Sequence, residues 1–312
     1  MLTPFQPYAL FPEDKQCAGI VKSFIDKGTY DIIVCRYIPD AMKCGLLEFA
    51  DRLVVDVDDN PYDLERSAIL SARTTRKKLY HLYRSAIVRN VVKQIQRRCR
   101  FTFYSNPAQA VYPNSAFLPN IPYYDYEMQL ADFSMTGHRL LFVGNMSYAP
   151  NTRGINHFID QVFPQVRKQI PDVELHLVGG CNQPDYIEKW NQTDGVKYMG
   201  FVDDLKQEYA ESRVVVVPMY EGAGTNIKVL EAMKMKRPCV TTQYGYRGFA
   251  DSFHSGVELL VSKDDNDFVS YVVEALSDEE LNHTLSERAY AAVTKEYSRQ
   301  AFNSIVAKSI IR

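Results

Sequence analysis

From Arg213 to Gly248 the apolar and polar positions change period twice. Val214 to Val217 is an unbroken apolar run closed by Pro218, as in a strand covered on both faces. A glycine turn follows, Gly222-Ala223-Gly224-Thr225-Asn226, and then positions of helical spacing that carry Lys228 and Glu231. A second short apolar stretch, Cys239 to Thr242, closes the segment. Strand, glycine turn, helix and strand make a βαβ unit. The same alternation runs through the chain. It predicts helices over Cys17 to Lys27, Asp40 to Ala50 and Arg153 to Ile170, the last with Ile155, Phe158, Ile159, Val162 and Val166 on one face. It predicts strands over Tyr30 to Cys35, Arg52 to Val57, Arg139 to Gly144 and Val173 to Gly179, with shorter ones from Phe101 and Ala116. Further helices start at Asp265, Asp278 and Ser298, and residues 123–138 have no period and read as a linker. The expected fold class is α/β, built on parallel sheets.

The βαβ unit already suggests chemistry. Its turn and helix N-terminus offer unpaired N–H groups and the positive end of a helix dipole, which suit a phosphate. Lys228 and Glu231 are three residues apart and share a helix face. A cation at the phosphates and a carboxylate accepting ribose hydroxyl protons would hold a nucleoside diphosphate. A glycine turn alone fits equally well a tight turn before a solvated helix.

Charge changes the picture in one place. Residues 66–124 hold 11 Lys and Arg and no Asp or Glu, in a chain whose net charge is -2. Most of this charge lies in Arg73 to Arg100, where Leu79, Leu82, Tyr83, Ala86, Ile87, Val91 and Ile95 recur at helical spacing. This is a basic amphipathic helix. It reads either as a core helix with a solvated basic face or as a surface for anionic lipid headgroups or a lipid-linked diphosphate. Nucleic acid ranks last, because no recognition motif accompanies a basic block confined to one element. No apolar run reaches the length of a membrane span, and Met1 to Lys15 lacks the pattern of a secretory signal. Six scattered cysteines with no CxxC read as reduced thiols of a cytoplasmic protein. Asp56, Asp58, Asp59 and Asp63 crowd a strand end and the loop after it, without the spacing of a calcium loop. No metal is expected.

The string G-A-G-T-N-I-K-V-L-E-A-M at Gly222 to Met233 resembles the donor-site segment of the group 1 (family 4) glycosyltransferases. The resemblance is good from Arg139 to Arg312 and weaker from Gly28 to Pro122. It implies a GT-B fold, two Rossmann-like domains facing a cleft, with the first domain shortened because no glycine-loop unit precedes Tyr30. It implies a partial acceptor-side domain over 1–122, the linker over 123–138, a nucleotide-sugar domain over 139–296, and a helix over 297–312 crossing back to the first domain. Two departures stand out. Ala223 occupies the place of the family's first glutamate, and Asn145 that of an arginine after Gly144.

Carried over residue by residue, the resemblance implies donor contacts from Gly144, Asn145, Gly200, Phe201, Val202, Gly222, Gly224, Thr225, Asn226, Lys228, Glu231 and Tyr246. Lys228 and Arg153 would stabilise the leaving diphosphate, with Arg153 expected in the first helical turn. Asp58 and Asp59 stand near the family's sugar-facing histidine and are candidates for holding sugar or acceptor hydroxyls. The implied reaction is a retaining, metal-independent sugar transfer from a nucleotide-diphosphate donor to a glycan or lipid-linked acceptor. Such a transferase would need no cofactor. It would serve cell-surface polysaccharide synthesis in the cytoplasm, peripheral to the inner membrane face. Two other readings stay open: a degenerate sugar-nucleotide or glycan-binding module that needs a partner, and a nucleotide-sugar epimerase.

Overall fold

The structure is a computed structural model that describes residues 10–58, 60–72, 74–122, 127–222 and 224–310. Asp59, Arg73, Ala223 and residues 123–126 of the expected linker lie outside it. The chain divides into two compact units. One holds the residues up to Pro119, the loop Gly222–Thr225 and the segment from Phe302 on. The other holds Asn120–Glu221 and Asn226–Ala301.

The first unit opens with α1 (Lys15–Lys27), capped by the Asp14 side chain. Its sheet is parallel, in the order β1 (Ile33–Arg36), β2 (Leu53–Asp56), β3 (Phe101–Tyr104), β4 (Ser115–Phe117). Leu53, Val54 and Val55 are fully buried, as unalternating apolar strands require. β1 is the edge among the described strands, and its Val34 is 65% exposed. The single helix expected over Asp40 to Ala50 is two pieces, α2 (Ile38–Lys43) and a 3-10 turn (Leu46–Phe49). Gly45 interrupts it with φ +66, and a Cβ there would crowd Ala18. Next come α3 (Pro61–Ser71), capped by Asn60, and α4 (Thr75–Arg98), capped by Thr74.

The helical spacing read over α4 as one stripe is two. Ile87, Val91 and Ile95 are buried, whereas Leu79, Leu82, Tyr83 and Ala86 are exposed. At about 100° per residue the exposed set centres about 160° from the buried one once Val88 and Val92 are counted with Ile87, Val91 and Ile95, although Tyr83 and Ile87 are still neighbours. The apolar pattern therefore changes phase midway along the helix, and a window spanning the change hides it.

The second unit carries α5 (Phe133–Thr136), β5 (Arg139–Val143), α6 (Ala149–His157), α7 (Phe163–Gln169), β6 (Glu174–Val178), α8 (Pro184–Gln192), β7 (Val196–Gly200), α9 (Leu205–Ala210), β8 (Val214–Val217), α10 (Ile227–Lys234), β9 (Cys239–Thr242), α11 (Gln243–Tyr246), β10 (Leu260–Ser262), α12 (Asp265–Ser277) and α13 (Glu279–Glu296). A π turn over Phe158–Val162 joins α6 to α7. The sheet is parallel throughout, in the order β10-β9-β8-β5-β6-β7. Phe142, Phe158, Leu177, Trp190, Val216 and Phe268 are fully buried around it.

Two buried arginines determine where the segment after the first unit goes. Arg237 donates to the carbonyls of Tyr209 (2.6 Å), Ala210 (3.1 Å), Lys236 (2.8 Å) and Gln129 (2.8 Å). Arg213 lies 3.8 Å over the Phe133 ring and donates to the Phe133 and Leu276 carbonyls and to Thr136 Oγ1. Burial lowers both guanidinium groups, Arg237 to about 10. Met128 and Ala131 are buried as well, so from Met128 onward the expected linker is part of the second unit's fabric.

The last helix, α14 (Arg299–Ile310), contributes to the first unit's core. Phe302, Ile305, Val306 and Ile310 pack with Val54, Phe103 and Leu118.

Candidate active site

β5 sits between β6 on one side and β8 on the other, so the strand order of the second sheet reverses there. Ligands of open α/β sheets bind outside the carboxyl ends of the strands at such a point. The residues that follow β5 and β6 are glycines for packing reasons. Gly179, at φ +130, lies against Gly144, and a Cβ on it would fall 1.9 Å from the Gly144 carbonyl oxygen. Gly154 of α6 lies under the turn after β8, where a Cβ would fall 2.1 Å from the Pro218 carbonyl oxygen. Gly222 and Gly224 adopt φ +122 and +65, which other residues rarely tolerate.

Lys228 and Glu231 face this strand end from α10. Lys228 Nζ donates to Asn151 Oδ1 at 3.0 Å, and Asn151 Nδ2 donates to the Asn145 carbonyl at 2.9 Å. A Cβ on Gly144 would stand 3.2 Å from the Lys228 Cε and 3.1 Å from the Asn151 Nδ2, so the bare glycine makes room for both. Burial lowers Lys228 to about 8, and Glu231 opposes part of that. Burial likewise raises Glu231 to about 7, partly countered by Lys228. The two share a helix face without forming an ion pair. Asn226 precedes α10 but does not cap it, because its side chain turns to the Gly245 carbonyl at 3.1 Å. The first N–H groups of this eight-residue helix thus have no side-chain acceptor.

The other sequence candidates are placed as follows. Asn145 accepts from the Ser147 N–H at 2.9 Å and so shapes the loop after β5. Gly200 ends β7 at φ +69, Phe201 is 88% exposed, and Val202 is half-buried. Thr225 is half-buried. The Tyr246 hydroxyl donates to the Phe253 carbonyl. Arg153 is the fifth residue of α6, not a first-turn residue, because the helix starts at Ala149 with Pro150 in its first turn. It forms an ion pair with Glu221 and is half-exposed. The Pro150 signal was present in the sequence.

Two features lacked any signal of their own. Asn151 is the partner of Lys228. Tyr220, His157 and Asp265 form a cluster past the end of β8, with His157 Nε2 2.9 Å from an Asp265 carboxylate oxygen and the Tyr220 hydroxyl 3.3 Å from the other. Burial, and after it the Asp265 charge, raises the Tyr220 phenol above its ordinary range.

At the carboxyl ends of β1 and β2, Arg36 Nη2 donates to Asp58 Oδ2 at 2.6 Å, and Arg36 Nε lies 3.6 Å from Asp56. Asp58 is buried at φ +46, and Tyr37 has φ +70. Two non-glycine residues in the left-handed region mark a strained strand end of the sort found at binding sites. Asp63 lies inside the first turn of α3 and accepts from Gln109, while Asn60 takes the cap. Among the described residues no group of three His, Cys, Asp or Glu side chains could hold a metal ion.

Residues 137–278 match the family model described as glycosyl transferases group 1. Over 288 residues the chain is 22% identical to an "uncharacterized 44.6 kDa protein in cps region" of Klebsiella pneumoniae, covering 88% of this chain and 73% of that protein. Among solved structures it is similar to TarM, with TM-score 0.72 and 16% identity over 95% of this chain. It spans 58% of the TarM chain. It is similar to HepE of Anabaena, solved with UDP and glucose, with TM-score 0.68 and 17% identity over 95% of this chain and 80% of that one. Sucrose-phosphate synthase of Thermosynechococcus elongatus gives TM-score 0.71 and 15% identity over 93% and 75%. The fold is that of the GT-B glycosyltransferases.

Proposed function

We propose that the chain transfers a sugar from a nucleoside-diphosphate donor to a hydroxyl of a glycan or lipid-linked acceptor. One observation carries the reading: a partly buried, unpaired-in-charge couple, Lys228 and Glu231, stands at the switch point of a parallel sheet beside an uncapped helix N-terminus. The matched family region contains this whole constellation, and HepE has been solved with UDP-glucose. The donor diphosphate lies against the first N–H groups of α10, within reach of the Lys228 ammonium. As the sugar–oxygen bond breaks, negative charge grows on the departing diphosphate. Lys228 and the helix dipole meet it in a site of reduced water access. Arg153 adds a second cation by exchanging Glu221 for phosphate. Glu231, once ionised, accepts the ribose hydroxyl protons.

On this reading no metal or cofactor is needed, the anomeric configuration is retained, and the transition state is oxocarbenium-like. On this reading Asp58, held by Arg36, accepts a hydroxyl proton of the acceptor. We assign the reaction to polysaccharide synthesis at the cytoplasmic face, a reading supported by the similarity to a protein named for a cps region.

Calorimetric titration of the purified chain with UDP, GDP, ADP and CMP tests the donor site. One nucleoside diphosphate is expected to bind tightly, and Glu231→Ala to weaken it. Equal affinity in the variant, or no binding by any nucleotide, would remove the basis for the assignment.

A further inference from the structure

The outward face of α4 is not used by the donor site. Leu79, Leu82, Tyr83 and Ala86 follow one another at spacings of three, four and seven from Leu79, and all four are exposed, Leu79 at 63% and Leu82 at 52%. The buried stripe of the same helix, Ile87 to Ile95, points the other way. Lys78 and Arg76 flank the exposed stripe, and Arg89, Lys93 and Arg97 continue its side toward the helix C-terminus, all of them exposed. Leu70, at the end of α3 that leads into α4, is 84% exposed.

The charges on this face are not neutralised from below. Glu65 of α3 is buried and is already held by His81 at 2.8 Å and Arg84 at 2.7 Å. Among the described residues, Arg76, Lys77 and Lys78 form no ion pair. They also crowd the first turn of a helix, where the dipole disfavours cations. The result is an apolar crest with a basic rim, set against its own helix dipole.

We propose that this face of α4 docks on a bilayer containing anionic phospholipid, leucines and tyrosine reaching the acyl boundary and the lysines and arginines lying among the headgroups. A second copy of the chain would set like charge against like. A nucleic acid would leave the apolar crest unmatched, since its contacts are mostly to phosphate and sugar. The proposal is independent of the donor-site reading, because its test uses no nucleotide.

The test is flotation of the whole chain with vesicles of phosphatidylcholine alone and with about 30% phosphatidylglycerol added. Binding is expected only to the anionic vesicles, weakening between about 0.1 M and about 1 M salt. Arg76→Ser with Lys78→Ser should lower the partition coefficient about 25-fold, fivefold for each cation. Leu79→Ser with Leu82→Ser should lower it at least about tenfold with all charges kept. The side chains are exposed, so the melting temperature should not move in either variant, and melting curves check this. Equal binding to neutral vesicles, no binding to either kind, or unchanged binding in the leucine variant would overturn the proposal. So would binding to single-stranded DNA in place of vesicles, or a dimer in sedimentation velocity that the leucine variant dissolves.

Discussion

Asn151 turns Lys228 from a surface lysine into a directed one. Its amide carbonyl receives the ammonium while its NH2 is tied to the loop after β5. Asn151→Ala should leave the fold intact and weaken nucleoside diphosphate binding about tenfold, the cost of a lost bond to a charged donor, measured by calorimetry. Protonation follows from the same burial. Lys228 is lowered to about 8, so its charge, and with it diphosphate affinity, declines as pH rises through that value. Glu231 is raised to about 7, so its carboxylate, and the ribose contact, declines as pH falls through that value. Affinity should therefore peak between about 7 and 8, and Lys228→Arg should remove the alkaline decline while keeping the acid one. Above the peak, binding should take up a proton, visible as a buffer-dependent enthalpy. At Gly154 the constraint is steric. Gly154→Ala would push a methyl into the Pro218 carbonyl and should lower stability by about 1–3 kcal/mol in urea unfolding.

At the scale of elements, the sequence was legible where one period ran from end to end. The strands around Val54, Leu141, Leu177, Val216 and Val240 fall where their apolar runs are, as covered parallel strands do, and the exposed edge strand around Val34 falls on its run as well. The helix carrying Lys228 and Glu231 was equally plain, framed by glycine turn and strand. What was not legible depends on contacts between distant residues. Gly45 breaks a helix that propensity would have continued. Two apolar faces of α4 merge when read through one window. The stretch from Met128 to Thr136 has no period because it is fixed by guanidinium groups from Arg213 and Arg237, 77 and 108 residues further on at the nearest bonds. Arg237→Met would leave five carbonyls, those of Gln129, Tyr209, Ala210, Met235 and Lys236, short of a donor in a buried place. Limited proteolysis near Gln129 should then quicken, together with a loss of about 2 kcal/mol or more in stability. In the site itself, Lys228 and Glu231 were readable from a motif. Asn151, Arg36 and the Tyr220–Asp265–His157 cluster were not, because each depends on which strand ends lie side by side.

For the molecule as a whole, the two compact units do not correspond to two unbroken lengths of chain. The first unit's sheet is built from residues 33–117, yet Phe302, Ile305, Val306 and Ile310 are packed on it. The order in which a ribosome delivers these parts then matters. Everything that makes the second unit's sheet emerges before α14 does, so the unit encoded first is the one completed last. During synthesis Val54, Phe103 and Leu118 wait uncovered while some 180 residues pass, on the order of ten seconds or more at ordinary elongation rates. A chaperone that shields apolar surface on nascent chains therefore has a defined interval and a defined patch to protect.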